Sequence, residues 1–209
     1  MKRIIPFYLL LLLSWLSLPS CEFKANVELG GELSAGDAKM QAGDLQGALQ
    51  EFEKEVKADP EEYQTYNKMG SIQLSMGKPG EALIYFNKSL EINPNYALAY
   101  VNRGLVKGNQ GNYTGSIEDL DQAISLDSAL TDAYYNRGVY LVEMGKYADA
   151  ISNMDRVLRQ NPQDAGAYYH RGRAKAGLAR QAEACQDFKL ARQHGKSALF
   201  DEMITKYCK

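Results

Sequence analysis

The sequence predicts an all-α fold: five stacked units on a 34-residue period, closed by a capping segment at the C-terminal end. Three observations carry this prediction. Gly36, Gly70, Gly104, Gly138 and Gly172 stand 34 residues apart each time. Twelve residues after each comes a small side chain (Ala48, Ala82, Ser116, Ala150, Ala184), and sixteen after it a large apolar one (Phe52, Phe86, Leu120, Met154, Phe188). A second glycine follows seven residues after the first at Gly43, Gly77, Gly111 and Gly145, with Ala179 in the fifth copy, and Pro60, Pro94 and Pro162 close three copies. Gly and Ala at fixed spacing let two helices approach closely, because neither carries bulk beyond Cβ. The large residue is then expected to fill the space between neighbouring units. A unit this short cannot bury its apolar face alone, so the array is stable only as a stack.

The N-terminal element comes first in the chain and reads differently. Lys2 and Arg3 precede the 15-residue apolar run Ile4–Leu18, which is shorter than the roughly 20 residues a membrane-spanning helix needs. Charge, then a short apolar run, then a cleavage-like site is the arrangement of an export signal, here 1–20. A cut before Cys21 places Ser20 at −1 and Leu18 at −3, a poor match to ordinary signal cleavage. Leu at −3, a small residue at −1 and Cys at +1 resemble instead the lipobox of bacterial lipoproteins, with Pro19 at −2 as a departure. That resemblance implies a diacylglyceryl group on the Cys21 thiol and removal of the leader. Residues 21–28 then form a linker.

Residues 29–196 hold the five units, in register as 29–62, 63–96, 97–130, 131–164 and 165–198. Their period and residue types resemble the tetratricopeptide repeat, which implies a right-handed α-solenoid of helix–turn–helix units. Tyr66, Tyr100, Tyr134 and Tyr168 take the fourth position of their units, where the family usually has a large aromatic. Two features depart from the pattern. The seventh position, usually Leu, is Arg103, Arg137 and Arg171 in copies three to five, and the first copy has Glu32 where the aromatic belongs. Glycine in "GKP" and "GKY" suits a left-handed helix end.

Residues 197–209 are expected to form the capping helix. Cys185 lies on the last unit's second helix and Cys208 on the terminal segment. An antiparallel hairpin centred near Gly195 and Lys196 would bring the two together. In an exported chain the expected outcome is a disulfide pinning the cap; two buried free thiols are the alternative. An odd cysteine, Cys21, then remains for the lipid.

Function follows from exclusion and from the groove. With Lys2 and Arg3 set aside, 22 of the 24 basic side chains remain against 26 acidic ones, interleaved along the chain. That balance argues against nucleic acid as a partner, which needs clustered cations. His170 and His194 are the only histidines, and no metal, cofactor or nucleotide motif is present. No enzyme activity is expected. His170 reads as a variant of the polar position held by Asn102 and Asn136.

In the tetratricopeptide family the first helix of each unit lines a concave groove through positions two, five, nine and twelve. Carried over, the resemblance implies a groove containing Asn67, Leu98, Val101, Leu105, Tyr135, Val139, Tyr169 and Arg173, with Asn102 and Asn136 at position six. The basic residues of the family's carboxylate clamp are missing, so these Asn side chains are expected to bond backbone between units. The expected partner is a protein or peptide, held by a non-enzymatic scaffold tethered to the membrane of the bacterial envelope. In architecture it resembles the repeat lipoproteins that assist envelope assembly, such as pilus-biogenesis pilotins. The alternative is a structural tether or adaptor of an envelope complex whose groove binds nothing.

Overall fold

A computed structural model describes residues 33–208, in which eleven helices follow one another without a strand. The leader 1–20, Cys21 and the linker 21–28 lie outside the described residues. The first helix pair is α1 (Ala35–Gln41) and α2 (Leu45–Ala58). Three pairs of near-identical length follow: α3 (Tyr63–Ser75) with α4 (Pro79–Ile92), α5 (Ala97–Asn109) with α6 (Tyr113–Leu126), and α7 (Thr131–Glu143) with α8 (Tyr147–Gln160). The fifth pair is α9 (Ala165–Gly177) with α10 (Gln181–His194), and α11 (Ala198–Tyr207) ends the chain. None of these helices is long and apolar enough to cross a membrane.

The turn inside each unit is set by the second glycine. After α3, Gly77 adopts φ +72°, its N–H donates to the Leu74 carbonyl, and Lys78 N–H donates to the Gln73 carbonyl. This left-handed cap satisfies carbonyls that the helix end leaves free, at little cost for a residue without Cβ. The fifth unit makes the same turn with Ala179 at φ +59°, the one non-glycine with positive φ among the described residues.

The first glycine does a different job. The small residue twelve later and the large one sixteen later are fully buried in all five units. A Cβ on Gly36, Gly70 or Gly172 would lie 2.3, 2.5 or 2.7 Å from the ring of Phe52, Phe86 or Phe188. The large residue therefore sits over the glycine of its own unit, and it also meets the next unit: Phe52 shares a core cluster with Met69 and Ile72. Burying such a side chain stabilises by about 1.5–3 kcal/mol.

The arginines that break the family pattern form a ladder. Arg103 donates through Nε and Nη2 to Asp119 of its own unit (2.9 and 2.7 Å) and through Nη1 to Asn87 of the preceding one (2.8 Å). Arg171 repeats this with Asp187 (3.0 and 2.7 Å) and Asp155 (2.6 Å). Arg137 takes Asn153 through Nε at 2.9 Å and reaches back to Asp121. Every partner stands sixteen residues before or after its arginine. Each guanidinium also lies over the tyrosine one turn earlier, Tyr100, Tyr134 or Tyr168, at 5.3–5.4 Å. Position seven thus joins three helices electrostatically where a leucine would join them by burial.

The helix α11 packs on α10 as each unit's first helix packs on the second helix before it, and it starts within one residue of the period. Phe200 meets Tyr169 at 5.5 Å and Tyr207 meets Phe188 at 5.5 Å, so the cap covers the last apolar face. The Cys185–Cys208 disulfide holds it there, with Cα atoms 5.1 Å apart.

Candidate peptide-binding groove

Successive first helices α3, α5, α7 and α9 touch one another, whereas second helices make no comparable contact along the stack. The first helices therefore form the shorter, inner edge of the curved array. The residues predicted to line that edge divide into three groups in the structure.

Some are withdrawn into the protein. Val101 is 6% exposed and packs with Leu120, Ala133 and Tyr140, and Asn67 is 5% exposed. Neither can meet a partner as it stands, which corrects the expectation for both. Asn102 Nδ2 donates to Asn67 Oδ1 at 2.9 Å, so these amides bond each other side chain to side chain, rather than backbone. The bond joins units two and three, with Asn67 buried and Asn102 half-buried, and each amide spends one of its polar atoms on the other. Val101 is crowded by Tyr140 of the next unit. Its ring lies where a Cβ on Gly108 would come within 2.2 Å, and its hydroxyl donates to the Leu105 carbonyl at 3.1 Å.

Others remain at the surface. Leu98 is 42% exposed, while Leu105, Asn136 and Val139 are half-buried. Asn136 and Val139 stand on α7, and Val139 packs against the clusters on both sides of that helix.

The third group forms one continuous patch on α7 and α9. His170 stands edge-on to both Tyr135 (5.8 Å, 87°) and Tyr169 (5.1 Å, 79°). Arg173 lies over the Tyr169 ring at 5.9 Å and donates to Glu143 at 2.8 Å. Gly166 makes room for the Tyr135 hydroxyl, which a Cβ there would meet at 2.4 Å. Burial pushes the His170 pKa down to about 4, with Arg173 adding to the shift and Glu143 opposing it. Its Nδ1 is buried without a hydrogen-bond partner. The sequence alone places His170 only as a variant of the polar position held by Asn102 and Asn136, and nothing in it singles out Glu143. The signal for His170 was its place beside Tyr169 and one period plus one residue after Tyr135. His194, the last residue of α10, stacks on Tyr168 at 5.7 Å.

Chemically the patch offers aromatic faces, one neutral imidazole and one Arg–Glu pair, which suits contact with side chains and backbone. Among the described residues no three His, Cys, Asp or Glu gather in a group that could hold a metal ion.

Stacked helix pairs with a curved inner edge define a helical-repeat scaffold for protein interaction. Models of the tetratricopeptide repeat match residues 63–96, 85–118, 109–145 and 135–198, and the chain belongs to that family. A crystal structure of MamA protein is 30% identical and superposes with a TM-score of 0.67 over 82% of this chain and 91% of that one. YrrB, described as a TPR protein with an unusual peptide-binding site, is 20% identical with a TM-score of 0.69, covering 82% and 88%. PilW, a widely conserved type IV pilus biogenesis factor, is 21% identical with a TM-score of 0.74, covering 83% and 82%. The likeness to YrrB and PilW shows the fold alone. No curated protein sequence matches the chain significantly.

Proposed function

We propose that this chain is an exported, lipid-anchored, non-enzymatic scaffold of the bacterial envelope that holds a segment of a protein partner along its inner edge. The observation that carries the groove is the Tyr135–His170–Tyr169–Arg173 patch, where aromatic and charged groups converge from two units. Rigid aromatic side chains give contact area at small entropic cost, which suits peptide recognition. The anchor rests on "SLPSC" at 17–21 and on arithmetic: Cys185 and Cys208 hold each other, which leaves Cys21 without a partner in the chain. A place in pilus or envelope assembly is suggested by PilW, whose description names pilus biogenesis.

The second reading, an adaptor with no groove function, draws support from the burial of Val101 and Asn67, which narrows the inner edge at units two and three. Photo-crosslinking separates the two. A photoreactive residue at Leu98 or Arg173 is expected to crosslink a defined partner in intact envelopes, while one at Ile84 on α4, 67% exposed, is not. Equal yields from all three positions would refute the groove. Intact-mass measurement of mature wild type against Cys21→Ser tests the anchor; a mature mass without an acyl increment would remove it.

A further inference from the structure

We propose that the fourth unit carries a second binding site, a cationic pocket between α7 and α8 that takes an acidic peptide segment. It is a cavity of about 440 Å³ lined by Tyr134, Arg137, Ser152, Asn153, Arg156 and Arg159. None of these is a residue of the inner-edge patch, so the site stands whether or not that edge binds a partner.

Three arginines and no carboxylate line this pocket, and the period shows how unusual that is within the molecule. Thirty-four residues earlier the same positions hold Tyr100, Arg103, Glu118, Asp119, Gln122 and Ser125. Thirty-four later they hold Tyr168, Arg171, Gln186, Asp187, Leu190 and Gln193. In those units one arginine is matched or outnumbered by carboxylates, and a buried aspartate grips it by two nitrogens. In unit four the aspartate is replaced by Asn153. Its Oδ1 accepts only from Arg137 Nε, and its own Nδ2 donates to the Asp149 carbonyl at 2.8 Å. The amide therefore brings no negative charge to the site.

The other two arginines make no ion pair among the described residues. The ladder carboxylates on either side are taken, Asp121 by Arg137 and Asp155 by Arg171. Arg156 lies over the Tyr134 ring at 5.6 Å and donates through Nη2 to the Ser128 carbonyl at 3.2 Å. Its Nε is buried without a hydrogen-bond partner. A buried donor on a cation that lacks a counter-charge is a group that an incoming acceptor would satisfy. The planar forks of Arg match carboxylates by paired hydrogen bonds. Arg156 and Arg159 stand one turn apart on α8, about 4.5 Å of rise, and Arg137 faces them from α7. Two unpaired forks spread along an open cleft, with the remaining Nη2 of Arg137 beside them, suit successive carboxylates of a peptide better than one compact anion.

The test is binding of fluorescein-labelled hexaglutamate to the full chain in detergent, by anisotropy at about 50 mM salt, where screening is weak. Arg156→Gln/Arg159→Gln is expected to weaken binding at least about tenfold. Lys54→Gln/Lys57→Gln on α2 removes the same charge and is expected to leave binding unchanged. Asn153→Asp is the sharper variant. It supplies the carboxylate that units three and five tolerate, clamps Arg137, and is expected to lose the peptide while the melt is unchanged or raised. If the α2 variant loses as much as the α8 variant, or if Asn153→Asp binds as wild type does, the site is refuted. Competition by millimolar inorganic phosphate or by phosphatidylglycerol vesicles as strong as that by unlabelled hexaglutamate would also overturn the peptide reading.

Discussion

Replacing Asp187 tests whether the arginine ladder holds the stack together. Asp187 is 2% exposed and accepts from Arg171 Nε and Nη2 (3.0 and 2.7 Å) and from Lys175 Nζ (2.7 Å). Truncating it to Ala strands two cations whose side chains are only 18% and 12% exposed. Breaking a buried ion pair in this way costs about 3–5 kcal/mol. Arg171 retains Asp155 at 2.6 Å and some access to water, so the expected loss is smaller, about 2–3 kcal/mol. In a thermal melt followed by far-UV circular dichroism this corresponds to a fall of about 5–10 °C for a chain of this length. Asp187→Asn should cost less than Asp187→Ala, about 1–2 kcal/mol, because unit four runs the ladder on an amide, Asn153 Oδ1 accepting from Arg137 Nε at 2.9 Å. Lys175, whose place in unit four is taken by Leu141, still loses its carboxylate. Asp119 is a built-in replicate, holding Arg103 and Lys107 through the same pattern of bonds. A double-mutant cycle with Arg171→Leu should return a coupling energy of about 2 kcal/mol. A loss below about 0.5 kcal/mol for Asp187→Ala, the range of ordinary surface substitutions, would refute the ladder as a source of stability.

Three further outcomes are expected. Ala179→Gly relieves a left-handed alanine at φ +59° and should stabilise by about 1 kcal/mol, read as a raised midpoint in urea. Because the His170 pKa falls to about 4 in the folded protein against 6.5 ordinarily, folding favours the neutral ring. Stability should be full above pH 6.5 and fall by up to about 3 kcal/mol as pH drops from 6.5 toward 4. His170→Asn, the residue of units three and four, should flatten that part of the melting-temperature profile. Reducing Cys185–Cys208, which closes 23 residues of sequence separation, should cost about 3 kcal/mol. Hydrogen exchange should place that loss in α10 and α11, because contacts reach only neighbouring helices; uniform loss along the chain would contradict this nearest-neighbour coupling.

Much of the fold was legible because its causes lie at fixed spacing along the chain. The glycine that a large apolar side chain covers, the residue that supplies that side chain and the small residue that turns the chain recur within each unit. The disulfide was legible too, since two helices and one turn constrain which residues can meet. The ladder was not. Arg103, Arg137 and Arg171 looked like losses of a core leucine, because their partners sit on two other helices, sixteen residues away in both directions. Asp119, Asn153 and Asp187 recur with the same period and were the available signal. The groove was read least well. A generic rule for inner-edge positions placed Val101 and Asn67 at the surface, whereas Tyr140 over Gly108 and the Asn67–Asn102 bond draw that edge inward.

The amino-acid sequence alone determined the all-α repeat fold and the family, and it put Cys185 and Cys208 within reach of each other while leaving two free thiols as the alternative. These depend on which residues lack a Cβ, which are large and how many residues separate them, all properties of a one-dimensional chain. Only the tertiary structure decided which polar residues face each other and which are left unpaired. Arg171 finds two aspartates and Arg156 finds none because the stacking of helices brings together groups far apart in sequence. Charge balance at a point in space is a sum over all helices that meet there, and no spacing rule along a single helix contains it.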